Sequence, residues 1–285
     1  MRLPEWIKSA SRSCPAPAGV TGADRTVRAH RLHTVCEAAR CPNQRYCYAK
    51  PTATFLILGD ACTRNCGFCS VSHRAPSAPD PAEPLMVADA AVAMGLRYVV
   101  VTSVTRDDLP DGGSGHFAAT IRAVRQRLPE ARIEVLIPDF CGDGDSLKTV
   151  LDAAPDVLNH NVETVPRLYP TVRPQADYLQ SLDLLHCAKE IFPAALTKSG
   201  LMVGLGEQVE EIEAVLCDLR HAGCDSLTIG QYLRPTKKHL PVVEYIHPDI
   251  FAELEQVAKK LGFRSVASGP LVRSSMNAEE QFNGS

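Results

Sequence analysis

The chain has 285 residues, of which 45% are hydrophobic, and this length and composition allow one large buried core. The formal net charge of −3 gives no electrostatic reason to expect nucleic acid as a partner. The longest apolar runs have the length of a strand, whereas a helix that crosses a bilayer needs about 20 apolar residues. We therefore expect a soluble, cytoplasmic protein with no nucleic-acid partner and no membrane partner.

The first 50 residues form an extension that is rich in proline, arginine and cysteine and shows little periodicity. We expect residues 1–50 to be irregular and to be ordered mainly by whatever the cysteines bind. Cys36, Cys41 and Cys47 are separated by four and then five residues, and we call them the first trio.

Residues 51–270 alternate short β-rich runs with amphipathic stretches, which is typical of repeated βα units and a parallel sheet. The predicted strands are 53–58, 97–102, 132–137, 156–161, 199–203 and 226–230. The predicted helices are 84–95, 115–128, 145–153, 177–191, 208–222 and 248–261. Six such units predict an α/β fold: a partial (βα)6 barrel of the TIM type, followed by a short C-terminal tail at 271–285.

The segment GDACTRNCGFC follows the first predicted strand of the barrel and contains Cys62, Cys66 and Cys69, which we call the second trio. Three and then two residues separate these cysteines. Thiolates at this spacing can hold three corners of a [4Fe–4S] cluster and leave one iron without a protein ligand, open for chemistry. Six of the eleven cysteines lie within 34 residues, and this density indicates metal binding.

Two other uses of cysteine fit less well. Structural zinc commonly joins two C-x2-C pairs, whereas only Cys66 and Cys69 form such a pair here. Disulfides need an oxidising compartment, and the opening MRLPEWIKSA lacks the apolar core of a signal peptide. The remaining cysteines are expected to be ordinary thiols: Cys14, Cys141, Cys187, Cys217 and Cys224.

Polar residues and glycines follow every predicted strand of the barrel. In βα barrels the loops at the carboxyl ends of the strands carry the chemistry. Any single loop is polar for ordinary reasons, but six in register favour one shared site on one face. Besides the cysteine loop, these segments are 102–108, 138–140, 159–164, 204–207 and 231–235.

Several long motifs resemble the lipoyl synthase family of the radical S-adenosylmethionine (SAM) superfamily, and the resemblance covers about residues 30 to 278. It implies an enzyme that inserts two sulfur atoms at C6 and C8 of an octanoyl chain attached to a lysine of a lipoyl carrier protein. The motifs are CEAARCPNQRYC, ATFLILGDACTRNCGFC, VTSVTRDDLPDGG, PDVLNHNVETVPRLYPTVRP, TKSGLMVGLGE and TIGQYLRPTKKHLPV.

The same resemblance implies two [4Fe–4S] clusters. The second trio would hold the cluster that binds SAM, and the first trio together with a C-terminal serine would hold an auxiliary cluster that supplies the sulfur. The string Arg273-Ser274-Ser275 matches the R-S-S string of the family, with Ser275 at the ligand position and Ser274 as the fallback. The chain has Met276-Asn277 where the family usually has Tyr-His, so packing around the auxiliary cluster is expected to differ while ligation is kept.

Contacts to SAM are predicted from position. Thr102 and Ser103 would meet its methionine end. Asn161 and Glu163, two apart at a strand end, would accept hydrogen bonds from its ribose hydroxyls, although a local turn network is the alternative. Two basic residues would meet a carboxylate or else are surface charges: Arg173 and Lys198. His160 is as well explained by an inward, hydrogen-bonded histidine at the barrel rim as by a role in the site.

The resemblance also implies partners. They are octanoylated lipoyl carrier domains, such as the glycine cleavage H protein and the acyltransferase subunits of 2-oxoacid dehydrogenases, together with a ferredoxin or flavodoxin electron donor and an iron-sulfur scaffold protein for cluster repair. Two other functions stay open. A methylthiotransferase or biotin-synthase-like enzyme would explain both trios but not the R-S-S tail. An iron-sulfur electron carrier or sensor would need both clusters to be fully ligated by protein.

Overall fold

The computed structural model describes residues 3–12, 22–49 and 53–283. Its single eight-stranded sheet has the strand order of the sequence; β1 pairs antiparallel with β2, and every later pair is parallel. The strands are β1 (His33–Thr34), β2 (Thr54–Ile57), β3 (Tyr98–Ser103), β4 (Arg132–Leu136), β5 (Val157–Asn159), β6 (Leu196–Val203), β7 (Ser226–Gln231) and β8 (Ser265–Gly269).

Each strand from β2 to β7 is followed by a helix, so the six predicted βα units are confirmed. The helices are α1 (Glu5–Arg12), α2 (Gly22–Ala29), α3 (Val35–Ala38), α4 (Gln44–Ala49), α5 (Glu83–Ala93), α6 (Ser114–Arg127), α7 (Gly144–Leu151), α8 (Tyr169–Val172), α9 (Tyr178–Ile191), α10 (Val209–His221), α11 (Pro248–Lys260) and α12 (Ala278–Asn283).

The strands of the barrel are buried on both faces, as parallel strands covered by helices must be. In β3, for example, the run from Tyr98 to Thr102 is buried throughout. β-Branched side chains such as Val99 and Val101 favour the extended backbone and pack beneath the helices. The buried strands are therefore short, and the polar loops lie at their ends.

The described part of the N-terminal extension contains more regular structure than the sequence suggested. It holds α1 to α4 and β1, which adds to the sheet through the pair His33↔Leu56. These helices are short; α2, for example, buries only Ala23 and Val27. Four to eight residues are too few for helical periodicity to be recognised, so tertiary contacts decide their conformation. The predicted boundary after residue 50 and the predicted ordinary thiol Cys14 both lie outside the described residues.

The C-terminal tail lies against the barrel. In α12, Ala278 and Phe282 pack on Tyr98 and Val100, and the Tyr98 and Phe282 rings meet edge to face with centroids 6.0 Å apart. Gly230 in β7 gives the tail its path, because a Cβ there would come within 2.3 Å of the Val272 carbonyl oxygen. Helix α12 thus packs at the amino-terminal ends of β3 and β4, whereas the segment before it reaches the carboxyl ends of β5 and β7.

A buried ion pair lies next to this tail. Lys198 Nζ is 3.1 Å from Glu134 Oε1, and both side chains are almost fully buried. Glu134 also accepts hydrogen bonds from the Tyr98 hydroxyl at 2.7 Å and from Asn159 Nδ2 at 3.0 Å. Burial and then the nearby Glu134 raise the pKa of Tyr98, so this phenol stays a donor. The carboxylate is therefore surrounded by donors inside the sheet.

Replacing Lys198 by methionine should destabilise the protein by about 3 to 5 kcal/mol, because it leaves the Glu134 carboxylate buried without its cation. Urea unfolding of the metal-free chain measures this change. The double variant Lys198→Met/Glu134→Leu should recover most of the loss. Lys148→Met, which breaks an exposed pair with Asp152, is the control and should change stability by less than about 1 kcal/mol. A single Lys198→Met variant as stable as the parent would contradict the importance of the pair.

Candidate functional site

The second trio lies in a loop that begins directly after β2. The chain leaves the strand through Leu58 and Gly59, whose φ angles are +67° and +89°. The loop closes on itself, because the Cys62 amide donates to the Ser72 carbonyl at 2.8 Å. The Cys62 sulfur already accepts two backbone N–H groups, from Arg64 at 3.4 Å and Thr105 at 3.3 Å. Such donors stabilise a thiolate and tune an iron-sulfur centre.

Segments from across the barrel mouth hold the rest of this loop. The Gly67 amide donates to the Val172 carbonyl at 2.9 Å, and the Gly67 carbonyl accepts from the Leu240 amide at 3.0 Å. His239 Nε2 lies 3.0 Å from the Cys69 carbonyl oxygen. Phe68 packs on an apolar cluster that includes Val172, Leu205 and Tyr232. Both backbone and side-chain contacts thus fix Cys66 and Cys69.

The thiols of the second trio are held in a low-dielectric setting. Burial raises the pKa of Cys69 to about 12 and also raises the pKa of Cys66, whose rise is opposed by the nearby Arg173. Metal binding must therefore displace protons from these sulfurs. The donor set is three thiols on one short loop, which fits three corners of a cluster.

A single metal ion would need its thiolate ligands closer together than a [4Fe–4S] cluster does. Thiolates on one zinc lie within roughly 4 Å of one another, because Zn–S bonds are about 2.3 Å long. Within residues 3–12, 22–49 and 53–283, no three His, Cys, Asp or Glu side chains are grouped so that they could hold a metal ion. The irons of a cubane sit at separate corners, so its thiolates do not have to converge on one point.

Buried polar atoms without a partner gather at the carboxyl ends of the strands. Burying such an atom is costly unless a ligand or water satisfies it. In the described chain six side-chain atoms have this property, and four of them belong to the ends of β3 and β5 and the segment after β5. These four are Ser103 Oγ, Asn159 Oδ1, His160 Nε2 and Arg173 Nε. Arg173 is close enough to Cys66 to shift the pKa of its thiol, and His160 is close to Arg173, so these two fit a polar ligand bound next to the second trio.

The predicted contacts of Asn161, Glu163 and Arg173 fall in one network. Asn161 Nδ2 donates to Glu163 Oε1 at 3.2 Å, and Arg173 donates to the Asn161 carbonyl at 3.0 Å. Burial raises the pKa of Glu163, and the positive charge of Arg173 opposes that rise. The φ angle of Glu163 is +66°, in the left-handed region that only a few non-glycine residues adopt. Two of these residues act on Cys66, since Arg173 lowers and Glu163 raises the pKa of its thiol.

Two other predicted contacts are engaged elsewhere. The Thr102 hydroxyl donates to the Leu136 carbonyl at 3.0 Å, across the β3–β4 pair. Lys198 meets a carboxylate of its own chain, Glu134, beside the C-terminal tail. Their predicted contacts to SAM therefore stay predictions, and a bound ligand would have to compete with these partners.

The first trio is assembled by α3, α4 and the turn between them. The Cys41 amide donates to the Cys36 carbonyl at 3.0 Å, and Cys47 lies within α4. Burial and, to a smaller extent, the neighbouring Cys41 and Cys47 raise the pKa of Cys36 to about 12, although hydrogen bonds with Thr54 oppose the rise. The three thiols therefore influence one another as members of one site.

Asn43 joins the first trio to the C-terminal tail. This side chain is 2% exposed, and its amide donates to the Leu271 carbonyl at 2.6 Å and to the Met276 sulfur at 3.2 Å. Ser275 is next to Met276, and its hydroxyl has no hydrogen-bond partner among the residues that the structure describes. By contrast, the Ser274 hydroxyl accepts from Asn159 at 2.7 Å. Ser275 is thus the freer of the two serines.

Sequence reasoning missed both Asn43 and Arg64, which lie between the cysteines of the first and the second trio, respectively. The sequence signal that could have identified them as site residues is their position between the cysteines. Their hydrogen-bond partners are remote in sequence, so no local pattern relates them. The cysteines outside the trios differ in exposure: Cys141 is exposed near Arg64, Cys187 and Cys217 are half-buried on helices, and Cys224 is buried.

Comparison with known proteins identifies relatives of the whole chain. A model of the radical SAM superfamily matches residues 56–230. The lipoyl synthase of Rubrobacter xylanophilus is 56% identical over 278 residues, covering 98% of this chain and 86% of that protein. The lipoyl synthase of Caldanaerobacter subterraneus subsp. tengcongensis is 54% identical over 279 residues, covering 98% and 96%.

Solved structures with low identity share the fold. The [FeFe]-hydrogenase maturase HydG superposes with a TM-score of 0.61 at 15% identity, covering 92% of this chain and 62% of that one. Methylornithine synthase superposes with a TM-score of 0.57 at 16% identity, covering 75% and 63%. No helix among the described residues is both long enough and apolar enough to cross a membrane.

His160 gives the site a measurable pH signature. Its Nδ1 lies 2.9 Å from the Ile137 carbonyl oxygen, and burial, together with Arg173, lowers its pKa to about 4. Between about pH 6.5 and pH 4 the unfolded chain binds more protons at this histidine than the folded chain does, so the folded state loses stability as the pH falls.

Between pH 7 and pH 5 the free energy of unfolding of the parent should fall by about 2 kcal/mol more than that of His160→Asn, whose amide can keep the bond to Ile137.

Urea unfolding of the metal-free chain at both pH values measures this difference. His186→Asn is the control, because this histidine lies on the surface of α9 beside Glu190. It should behave as the parent does. Equal losses for the parent and His160→Asn would contradict a neutral, buried His160.

Proposed function

The chain belongs to the lipoyl synthase family of the radical SAM superfamily, and from this premise we propose that it inserts two sulfur atoms at C6 and C8 of an octanoyl chain carried on a lysine of a lipoyl carrier protein. Family membership implies a [4Fe–4S] cluster and SAM as cosubstrate; the presence of a second cluster is part of the proposal. The observation that carries it is the contact of Asn43 with Leu271 and Met276, because it brings the C-terminal tail to the first trio.

In this proposal the second trio ligates the cluster to which SAM binds. When bound, that pair supplies a carbon-centred radical that can remove hydrogen from an unactivated alkyl carbon, which is chemistry of the cofactor and not of side chains. The chain positions the pair. The Cys62 thiolate is stabilised by its two N–H donors, and the apolar packing around Phe68 excludes water from this side of the loop.

The unpartnered polar atoms would bind the cosubstrate. His160 is neutral at pH 7 because its pKa is about 4; if Nδ1 carries the proton that Ile137 accepts, Nε2 is an acceptor for a ligand N–H or O–H. Ser103 Oγ can donate or accept, and Arg173 Nε can donate to a carboxylate. Asn161 and Glu163 stay the proposed contacts of the ribose. This arrangement supports a ligand that carries an amine, a carboxylate and hydroxyls.

The auxiliary cluster in this proposal is held by Cys36, Cys41, Cys47 and Ser275. A hydroxyl is a weaker iron ligand than a thiolate, so release of Ser275 would open the cluster for sulfur transfer to the substrate. The free Ser275 hydroxyl beside the Asn43 contact supports this assignment. Ser274 is the less suitable ligand, because Asn159 and Asn161 already hold its hydroxyl.

The proposed partners follow from the reaction. Octanoylated carrier domains, among them the glycine cleavage H protein and acyltransferase subunits of 2-oxoacid dehydrogenases, would deliver the substrate. A ferredoxin or flavodoxin would supply electrons. Because sulfur leaves the auxiliary cluster in turnover, an iron-sulfur scaffold protein would rebuild it.

Intact mass of an octanoylated carrier domain tests the proposal. After anaerobic incubation with the reconstituted protein, a strong reductant and SAM, the domain should gain two sulfur atoms in place of two hydrogens. A control with SAM omitted should leave the mass unchanged. Formation of 5′-deoxyadenosine without any sulfur gain would reject the proposed substrate and keep the radical chemistry.

Ser275→Ala should retain SAM cleavage but lose most sulfur insertion, because the auxiliary cluster lacks its oxygen ligand. Ser275→Cys should keep this cluster, with a stronger thiolate ligand that slows sulfur release. Ser274→Ala is the matched variant and should insert sulfur better than Ser275→Ala. Lipoyl yield per SAM cleaved is the measurement, and a normal yield from Ser275→Ala would reject the ligand assignment.

A further inference from the structure

Arg64, in the middle of the second trio, is bound by two carboxylates. Its Nε and Nη2 lie 2.8 and 3.0 Å from the Asp107 oxygens, and its Nη1 and Nη2 lie 2.6 and 2.7 Å from the Asp139 oxygens. Nη2 is also 3.5 Å from the Cys141 sulfur. Two edges of the planar guanidinium therefore each make a bidentate pair with a carboxylate, which is the strongest geometry available to arginine.

Burial makes these pairs costly to break. Arg64 is 6% exposed, and the Asp139 side chain is fully buried. Burial alone would raise the pKa of Asp139, but the hydrogen bonds and charge of Arg64 outweigh it and hold that pKa below its ordinary value. Removing one member would leave an uncompensated charge in the interior. The pairs also occupy the guanidinium, so Arg64 is not a free cation for a ligand carboxylate.

The two carboxylates come from two other loops of the barrel mouth. Asp107 follows β3, and Asp139 follows β4. The loop after β3 is joined to the cysteine loop a second time, because the Thr63 amide and hydroxyl each donate to the Thr105 carbonyl at 3.0 Å. The Asp107 amide in turn donates to the Thr63 hydroxyl at 3.1 Å. Arg64 therefore connects three consecutive strand ends at the point where the cysteines lie.

We propose that Arg64 is a positioning residue for the second trio: by binding Asp107 and Asp139 it fixes the cysteine loop before any metal arrives, so that Cys62 and Cys66 are held at the spacing a cluster needs. This inference rests on the proposed role of the second trio as a cluster site. Arg64 has no part in the chemistry; its effect passes through the backbone of the loop, whose amide already donates to the Cys62 sulfur.

Amide hydrogen exchange of the metal-free chain tests the inference without any activity measurement. Arg64→Gln should speed exchange in residues 60–72 by about 100-fold, because it leaves two buried or partly buried carboxylates without their cation. Arg64→Lys should give a smaller increase, since one ammonium cannot make two bidentate pairs. Protection in α9 serves as the internal reference and should not change.

Arg74→Gln is the matched control. Arg74 lies in the same loop and pairs with Asp60, but this pair is exposed and should contribute little to loop protection. If Arg64→Gln does not fold, Asp107→Asn replaces it, because Asp107 is partly exposed and its loss removes only one of the two pairs. The inference would be overturned if Arg64→Gln, or Asp107→Asn in its place, exchanged the amides of residues 60–72 at the same rate as the parent.

A second measurement connects the loop to the cluster. In a chain with the first trio replaced by alanine, Arg64→Gln should lose iron to a chelator about ten times faster than the same chain with Arg64, and Arg74→Gln should not. Equal rates of loss would also overturn the inference. A parent protein that inserts no sulfur, combined with faster exchange in Arg64→Gln, would reject the proposed function and leave the positioning role standing.

Discussion

Two-sided burial of the parallel strands is the constraint on which the site depends. Helices cover the outer face of β2 to β7, so these strands consist of buried residues almost throughout. Their polar loops are then forced to the rims, and parallel direction places all the carboxyl ends at one rim. The second trio, Ser103 and the Asn161 network are neighbours for this reason, although more than 90 residues separate Cys66 from Asn161.

That rim is polar but largely buried. Arg64, Asp139, His160 and Arg173 are all buried there, and each depends on specific partners in place of water. Burial raises the pKa of Cys66 and Cys69 and lowers that of His160, so the neutral forms of these groups are favoured. At Asp139 the hydrogen bonds and charge of Arg64 outweigh burial, and the charged form is kept. Such a setting strengthens every electrostatic contact that a bound ligand makes.

Much of the fold could be predicted from the sequence because the barrel strands are short β-rich runs and the helices between them are amphipathic. The prediction missed β8, whose sequence SVASG has a single branched apolar residue and which is held by pairing with β7. It also missed α1 to α4, which bury too few side chains each to show a period. In the candidate site, the cysteine spacings were visible because the cysteines of each trio lie close together in the sequence. The partners of Arg64 and Asn43 were not visible, because each contact is formed by the folded chain and joins segments that no local pattern relates.

The contact between Asn43 and Leu271 spans 228 residues, whereas Arg64 and Asp139 are 75 residues apart. During synthesis the contacts of Arg64 with Asp107 and Asp139 can therefore form long before the tail has emerged, since chains fold from the N-terminal side as they are made. Leu240, whose amide donates to the Gly67 carbonyl, also precedes the tail. The first trio and Ser275 cannot meet until residues 271–276 have been translated. If the first trio binds the proposed auxiliary cluster, a cluster delivered to a nascent chain would therefore find only three thiols there, without Ser275.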